Sequence, residues 1–305
     1  ALVAILIGFI GVFLQYMSGW AAIQSFWVYL AGAFTAGFCM CMLNTVVNPM
    51  LNTLGGGGNK GNQLVQFGGV CNSLAAVLVT IIMGSLIADA TKAQIADATP
   101  ALMIALGVFA FAFLVLLLVK IPEPAQENEG DKAKDKKYSA FSFRHFNLGI
   151  LAIFLYMGVE VGVPTYVMQY LTTSPDATTP GLGINASIVG MIVAVYWLLM
   201  LVGRLLGGMI GGKVSSRAQI TGVSILCLVL VLLGMFLPTD VMVKMPGIDW
   251  ATLTIMTAQV PVGVFALILV GLCTSVMWGG IFNMAVEGLG KYTSIASGAF
   301  MTMVC

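Results

Sequence analysis

Charge is what this sequence has least of. Only 8% of its 305 residues are Asp, Glu, Lys or Arg, while 59% are hydrophobic. Soluble globular domains carry about 25% charged residues. A soluble domain of this size is therefore excluded, because the residues for a polar coat are missing. Histidine is almost absent too: His145 stands alone, beside Arg144 at the end of an apolar run, and reads as an interfacial side chain. No His/Cys/Asp/Glu cluster at ligand spacing lies deep in an apolar run, and no helix carries paired acids. That leaves little support for a polytopic membrane enzyme, and no metal or other cofactor is expected. Net charge is +1, which gives no reason to expect a nucleic-acid partner. The six cysteines (39, 41, 71, 227, 273 and 305) all lie in apolar runs and read as small packing residues. Nothing marks the C-x-C at 39–41 as a metal motif.

What is present is apolar length. A run of roughly 20 residues spans ~30 Å of hydrocarbon. The sequence offers eight complete candidates, at 1–17, 24–54, 62–88, 98–120, 146–172, 184–212, 217–238 and 258–289, and part of a ninth from 292. An all-α polytopic membrane protein is the expectation. The chain starts at Ala1 inside one apolar run and stops at Cys305 inside another, so a piece of a longer protein is expected.

If each span crosses once, the basic residues fall on one side. That side holds Lys60, Lys120, Lys132, Lys134, Lys136, Lys137, Arg144, Lys213, Arg217 and Lys291, with Arg204 near it in the sixth span. The other side has Lys92 and Lys244. The Lys-rich side is then cytoplasmic and the first span runs outward. The stretch IPEPAQENEGDKAKDKKYSAFSFRH at 121–145 is polar and charged with both signs. It reads as a cytoplasmic linker, partly disordered, between helical bundles at 1–120 and 146–305. Residues 172–183 and 238–258 read as loops on the opposite side. A weak repeat crosses the linker: Gly37 and Cys39 match Gly271 and Cys273, and Met50 matches Met284. The second and eighth spans are thereby related, as two parallel six-helix halves would require.

The polar residues inside spans carry the functional reading. Asn44, Asn48 and Asn52 recur every fourth residue, along one helical face that drifts by about 40° per step. Pro49 frees the Thr45 carbonyl and favours a local kink. One reading is hydrogen bonding between helices, worth about 0.6 kcal/mol on average. The other, favoured by the row of three, is the wall of a water-filled cavity. Gly55–Gly58 with Asn59, Lys60 and Gly61 has lysine before glycine and membrane helices on both sides, so it reads as a tight cytoplasmic turn and not a nucleotide loop. Of Gln66 and Asn72 in the next span, Asn72 lies deeper and is the better cavity candidate.

Glu160 sits near the middle of the fifth span. A carboxylate there must be paired, solvated or protonated. No deep Lys or Arg is an obvious partner, so substrate binding or proton carriage is favoured over a structural ion pair. Tyr156 and Pro164 lie one turn away on either side. In the eighth span Trp278 stands near Asn283. An aromatic ring beside amides suits a pyranose, which has an apolar face and hydroxyl edges. An interfacial or packing role is the alternative for such a tryptophan.

MLNTVVNPMLNTLG at 42–55, the N-S pair at 72–73, FLYMGVEV at 154–161, V-G-R-x-x-G at 202–207 and GLGKYT at 288–293 keep one order along the chain. Together they resemble the fucose/galactose/glucose:proton symporter family of the major facilitator superfamily. On that resemblance the chain runs from the third helix to the start of the eleventh of twelve, in a fold of two pseudo-symmetric six-helix bundles. It implies a secondary active transporter, a monomer in the inner (plasma) membrane, importing a hexose or deoxyhexose by alternating access with protons. Asn44, Asn48, Gln66, Asn72, Tyr156, Glu160, Trp278 and Asn283 would line the substrate path, with Glu160 as the proton-coupling group. GRLLGGMIGGKVSSR at 203–217 is similar to the superfamily's cytoplasmic turn but lacks its aspartate. Two further departures matter. The fucose branch has a membrane-embedded glutamate where this chain has Asn44. The glutamine expected just before N-S falls near Gly69. Coupling then rests on Glu160, or the protein is an uncoupled uniporter. Another small solute and a non-transporting sensor are the remaining readings. An anion site would need a deep Arg or Lys, and the spans offer none.

Overall fold

The computed structural model describes residues 1–56, 58–86, 95–119, 139–249 and 254–304. Among the described residues there are nine α-helices: α1 (Leu2–Ser18), α2 (Phe26–Leu54), α3 (Gly58–Leu86), α4 (Thr99–Leu118), α5 (Arg144–Thr172), α6 (Ala186–Gly211), α7 (Ser216–Phe236), α8 (Val262–Val286) and α9 (Thr293–Met301). Seven of them, α2 to α8, are long and apolar enough to cross a membrane. The expected spans appear as α1 to α8 with ends moved by a few residues, and α9 takes the place of the ninth. The reason is that an apolar segment in hydrocarbon has no water to satisfy its N–H and C=O groups, and a helix satisfies them within the segment.

Local signals set several helix ends. The Ser215 hydroxyl accepts the Ala218 N–H at 3.3 Å and caps α7. Pro100 lies in the first turn of α4, where its missing N–H leaves no bond unmade. Helix α3 starts earlier than expected. Gly56 adopts φ +77° and Gly58 φ +55°, which only glycine reaches at low cost. Both lie in the glycine run, and Asn59, Lys60 and Gly61 belong to the first turn of α3 instead of the turn. Most of the 121–145 linker lies outside the described residues. Its described end forms one 3₁₀ turn at Ala140–Ser142, and α5 follows from Arg144.

The loop before α8 is the larger departure. It contains an antiparallel hairpin of β1 (Met242–Asp249) and β2 (Thr254–Pro261), paired from Met242↔Pro261 to Asp249↔Thr254. Residues 258–261, expected to open the eighth span, are in β2. Pro261 ends the strand, and the Val262 N–H closes the ladder on the Val241 carbonyl at 2.8 Å. This is the only sheet among the described residues.

The described residues gather into two compact units. One comprises 1–51, 94–150 and 286–305; the other comprises 52–93 and 151–285. In the first, α1 and α2 meet at paired glycines. A Cβ on Gly11 would lie 2.6 Å from the Ala36 nitrogen, and one on Gly32 would lie 2.6 Å from the Gly11 carbonyl oxygen. Small residues let membrane helices approach to backbone contact, where dispersion and not the hydrophobic effect drives association. Helix α4 in this unit has no buried residue and turns Val108, Phe111, Leu114 and Leu118 outward. Lipid is an ordinary solvent for such a surface.

In the second unit α8 is the enclosed element, with Ile268, Val270, Thr274 and Phe282 fully buried. Helix α6 packs on both α8 and α3 and offers each a glycine. Gly203 faces Ser275 of α8; Gly208 faces the Phe67 ring of α3.

Gly32→Val should lower stability by about 1–3 kcal/mol through overpacking. Thermal unfolding of the detergent-solubilised full-length protein would read this as a lower midpoint, with Gly37→Val, where nothing lies within 4 Å, as the unaffected control.

Candidate functional site

Helix α5 presents Tyr156, Glu160 and Pro164 one turn apart, on one face. Pro164 has no N–H, so the Glu160 carbonyl loses its usual helical partner. The Tyr196 hydroxyl of α6 donates to that carbonyl at 3.1 Å. Tyr196 is fully buried, and its oxygen is also 3.2 Å from Thr274 Oγ1 of α8. Tyr156 is buried as well and donates to the Thr274 carbonyl at 3.2 Å. Two tyrosines and a threonine thus tie α5, α6 and α8 around one carboxyl group.

The carboxylate has a counter-charge. Arg204 Nη2 of α6 lies 3.5 Å from Glu160 Oε1, and the two side chains are 7% and 10% exposed. Arg204 Nη1 donates to the Gly69 carbonyl of α3 at 2.6 Å. Gly69 makes room for this. A Cβ there would lie 3.1 Å from Nη1 and 3.2 Å from Cδ. The guanidinium is planar with several fixed donors, so one residue can serve a carboxylate and a carbonyl on two different helices.

This corrects two expectations. Glu160 has a deep basic partner, and Arg204, placed near the cytoplasmic end of its span, has its charge in the interior. Side chains on a helix lean toward its N-terminus. Arg204 is close to the C-terminal end of α6, so its long stem carries the charge back along the helix, toward Glu160. The nearby Gly203 and Gly207, which thin the helix around Arg204, were the available signal.

The amides are distributed differently from expectation. Gln66 is 2% exposed, whereas Asn72 is exposed, the reverse of their expected order. Gln66 Nε2 donates to Gln219 Oε1 of α7 at 3.3 Å. Asn283 is buried and donates from Nδ2 to Ser216 Oγ at 3.1 Å. Asn62, not singled out as a candidate, is fully buried against α8: a Cβ on Gly279 would lie 3.2 Å from its Oδ1. Both polar atoms of Asn62, Gln66 Oε1 and Gln219 Nε2 are buried without a partner. Buried polar atoms in native proteins nearly always have one, so this corner is suited to water or to a hydroxylic solute.

In the other unit, Asn48 Nδ2 donates to the Asn44 carbonyl at 3.0 Å and lies 3.3 Å from Asn44 Oδ1. The Asn48 amide thus donates to Asn44 within α2. Trp278 is half-buried and stacks on Phe282, with centroids 5.6 Å apart and planes at 14°. Cys39, Cys227 and Cys273 are buried free thiols, as packing residues would be. Cys41 is disulfide-bonded and Cys71 is exposed, so neither fits that reading.

Removing one member of a buried ion pair strands the other. Arg204→Met should cost about 3–5 kcal/mol, and Glu160→Gln with Arg204→Met should recover much of that. Thermal unfolding of the single and double variants in detergent would test the non-additivity. Equal, additive losses would show that the two groups do not compensate each other.

A profile of the Major Facilitator Superfamily matches residues 1–305. A protein of Brucella abortus biovar 1 named glucose/galactose transporter is 25% identical over 284 residues, covering 91% of this chain and 62% of its own length. A Helicobacter pylori protein named for the same two sugars is 28% identical over 283 residues, covering 90% of this chain and 62% of its own. The chain thus spans less than two thirds of these relatives.

Proposed function

We propose, for a chain that belongs to the Major Facilitator Superfamily, that the whole protein imports a hexose or deoxyhexose across the inner (plasma) membrane by alternating access, coupled to protons. The superfamily match over the full chain carries the transport reading, and the two sugar-named relatives support the substrate class. Bundles at 1–120 and 146–305 would rock about the site, with 121–145 as the cytoplasmic linker and the monomer as the working unit. Asn44, Asn48, Gln66, Asn72, Tyr156, Trp278 and Asn283 would meet the sugar or line its path, and Glu160 would carry the proton.

The chemistry favours a neutral solute. Arg204 is a deep cation, but its guanidinium is held by Glu160 and by the Gly69 carbonyl. It offers no free charge to an anion. The amides Asn62, Gln66 and Gln219 retain both donors and acceptors, as hydroxyl groups require.

A second reading has specific support. Asn44 cannot titrate, and Glu160 has a fixed counter-charge. Both suit an uncoupled uniporter, in which the pair is structural.

Uptake of labelled hexoses and deoxyhexoses into proteoliposomes holding the full-length protein separates the readings. Accumulation above equilibrium that needs an inward proton gradient, and that Glu160→Gln abolishes while leaving equilibration, is the expected result. Equilibration without accumulation in the parent protein would establish the uniporter. Absence of any sugar uptake would overturn the sugar assignment.

A further inference from the structure

We infer that Lys60, Lys213 and Arg217 form a docking surface for anionic phospholipid headgroups, at the level where the outward apolar surface of the second unit ends. The inference concerns the lipid around the protein and does not depend on which solute crosses it. All three side chains are exposed. They belong to three elements that meet at one tightly packed corner. A Cβ on Gly211, at the end of α6, would lie 3.6 Å from Gln63 Cα of α3 and 3.8 Å from Gln219 Nε2 of α7. Lys60 stands one helical turn before Gln63, Lys213 just beyond Gly211, and Arg217 just before Gln219.

No carboxylate answers these charges. The stretches 55–86 and 203–219 contain no Asp or Glu. The described acids of this unit lie elsewhere. Glu160 is buried against Arg204, and Asp176, Asp240 and Asp249 lie in the loops at the opposite ends of the helices. Among the described residues none of the three cations is in an ion pair. Two of them also run against helix electrostatics. Lys60 is in the first turn of α3 and Arg217 in the first turn of α7, and neither turn holds an acid. A helix N-terminus is already the positive end of the macrodipole, so a cation there is unfavourable. An anion from outside the chain relieves both.

The neighbouring surface says what that anion is attached to. On α6 the side chains of Leu206, Met209 and Ile210 are apolar and exposed, and Lys213 follows within one turn. Farther along α7, Ile225, Leu226 and Leu228 are exposed too. Acyl chains cover such flanks, and the headgroups of the same lipids then lie beside the cations. A lipid phosphodiester is held at this level by its own tails, whereas a soluble anion must be gathered from solution. Basic clusters next to membrane helices attract anionic headgroups in this way. Basic residues at helix ends also orient the chain during insertion, but that role requires no lipid preference in the finished protein.

Quenching of a fluorophore beside Arg217 reads headgroup contact directly. Full-length protein otherwise free of cysteine, carrying Ala218→Cys labelled with bimane, would be reconstituted in phosphatidylcholine vesicles. The vesicles are then doped with phosphatidylglycerol or phosphatidylcholine bearing a nitroxide high on one acyl chain. At low salt the anionic lipid should quench at a several-fold lower mole fraction than the zwitterionic one. High salt and the triple variant Lys60→Gln/Lys213→Gln/Arg217→Gln should each abolish that preference. Equal quenching by the two lipids in the parent would overturn the inference, and so would a preference unchanged in the triple variant. Loss of the preference on adding inorganic phosphate at low salt would assign the surface to a soluble anion and overturn the lipid reading. If the triple variant fails to fold, Lys213→Gln and Arg217→Gln decide singly. Each should weaken the preference, and no change in either would overturn the inference. Because no sugar or gradient is used, the result stands apart from the uptake experiment.

Discussion

Glu160 and Arg204 compensate each other where neither could remain alone. An isolated charge in the interior of a membrane bundle is expensive, and the cost falls when an opposite charge and polar backbone groups meet it. Meeting this requirement fixes much of the second unit. It sets α5 against α6 at the level of the two side chains and draws α3 to within hydrogen-bonding distance of the guanidinium. Pro164 adds a second requirement one turn away. The carbonyl it leaves open belongs to Glu160 itself, so Tyr196 is drawn to the same place, and Thr274 completes the set from α8. A single residue thus has both its side chain and its main chain satisfied by α6.

The membrane spans were legible because the signal for them is local. A long apolar run with turn residues at its ends needs no knowledge of its neighbours. The hairpin at 242–261 was not, because a strand in a loop is stabilised only by its partner, and the pairing of Met242 with Pro261 is not written in either segment alone. The site divides along the same line. Glu160, Tyr156 and Pro164 share one helix and were found by spacing. Arg204 lies 44 residues from Glu160, and its role depends on the direction in which a long side chain leans.

The amides show what depth along a sequence does and does not determine. Asn72 is further into its span than Gln66, yet Gln66 is buried and Asn72 exposed. Helical phase decides. Asn62, Gln66, Gly69 and Ser73 follow at intervals of three and four residues and form one face of α3, while Asn72 is about 100° away from Ser73. Asn62, Gln66 and Ser73 are all buried, and Gly69 meets Arg204. Reading that face as a unit would have singled out Asn62. On α2, by contrast, Asn44 and Asn48 recur at the right interval for a polar stripe, but the interval also lets one amide bond the other. The same periodicity supports two outcomes, and only packing distinguishes them.

Gly69 joins these threads. It stands near where the resembled family has a glutamine, and the absence of a side chain is what admits Arg204. A Cβ here would lie 3.1–3.2 Å from Nη1 and Cδ, close enough that the guanidinium and its stem would have to shift by a few tenths of an ångström. The departure at Gly69 and the charge arrangement at Glu160 are therefore physically connected: one opens the space that the other's partner fills. The departure at Asn44 fits the same pattern. With no ionisable group at that position, the deep ionisable chemistry among the described residues gathers on α5 and α6. There the carboxylate meets, through one arginine, the backbone of α3.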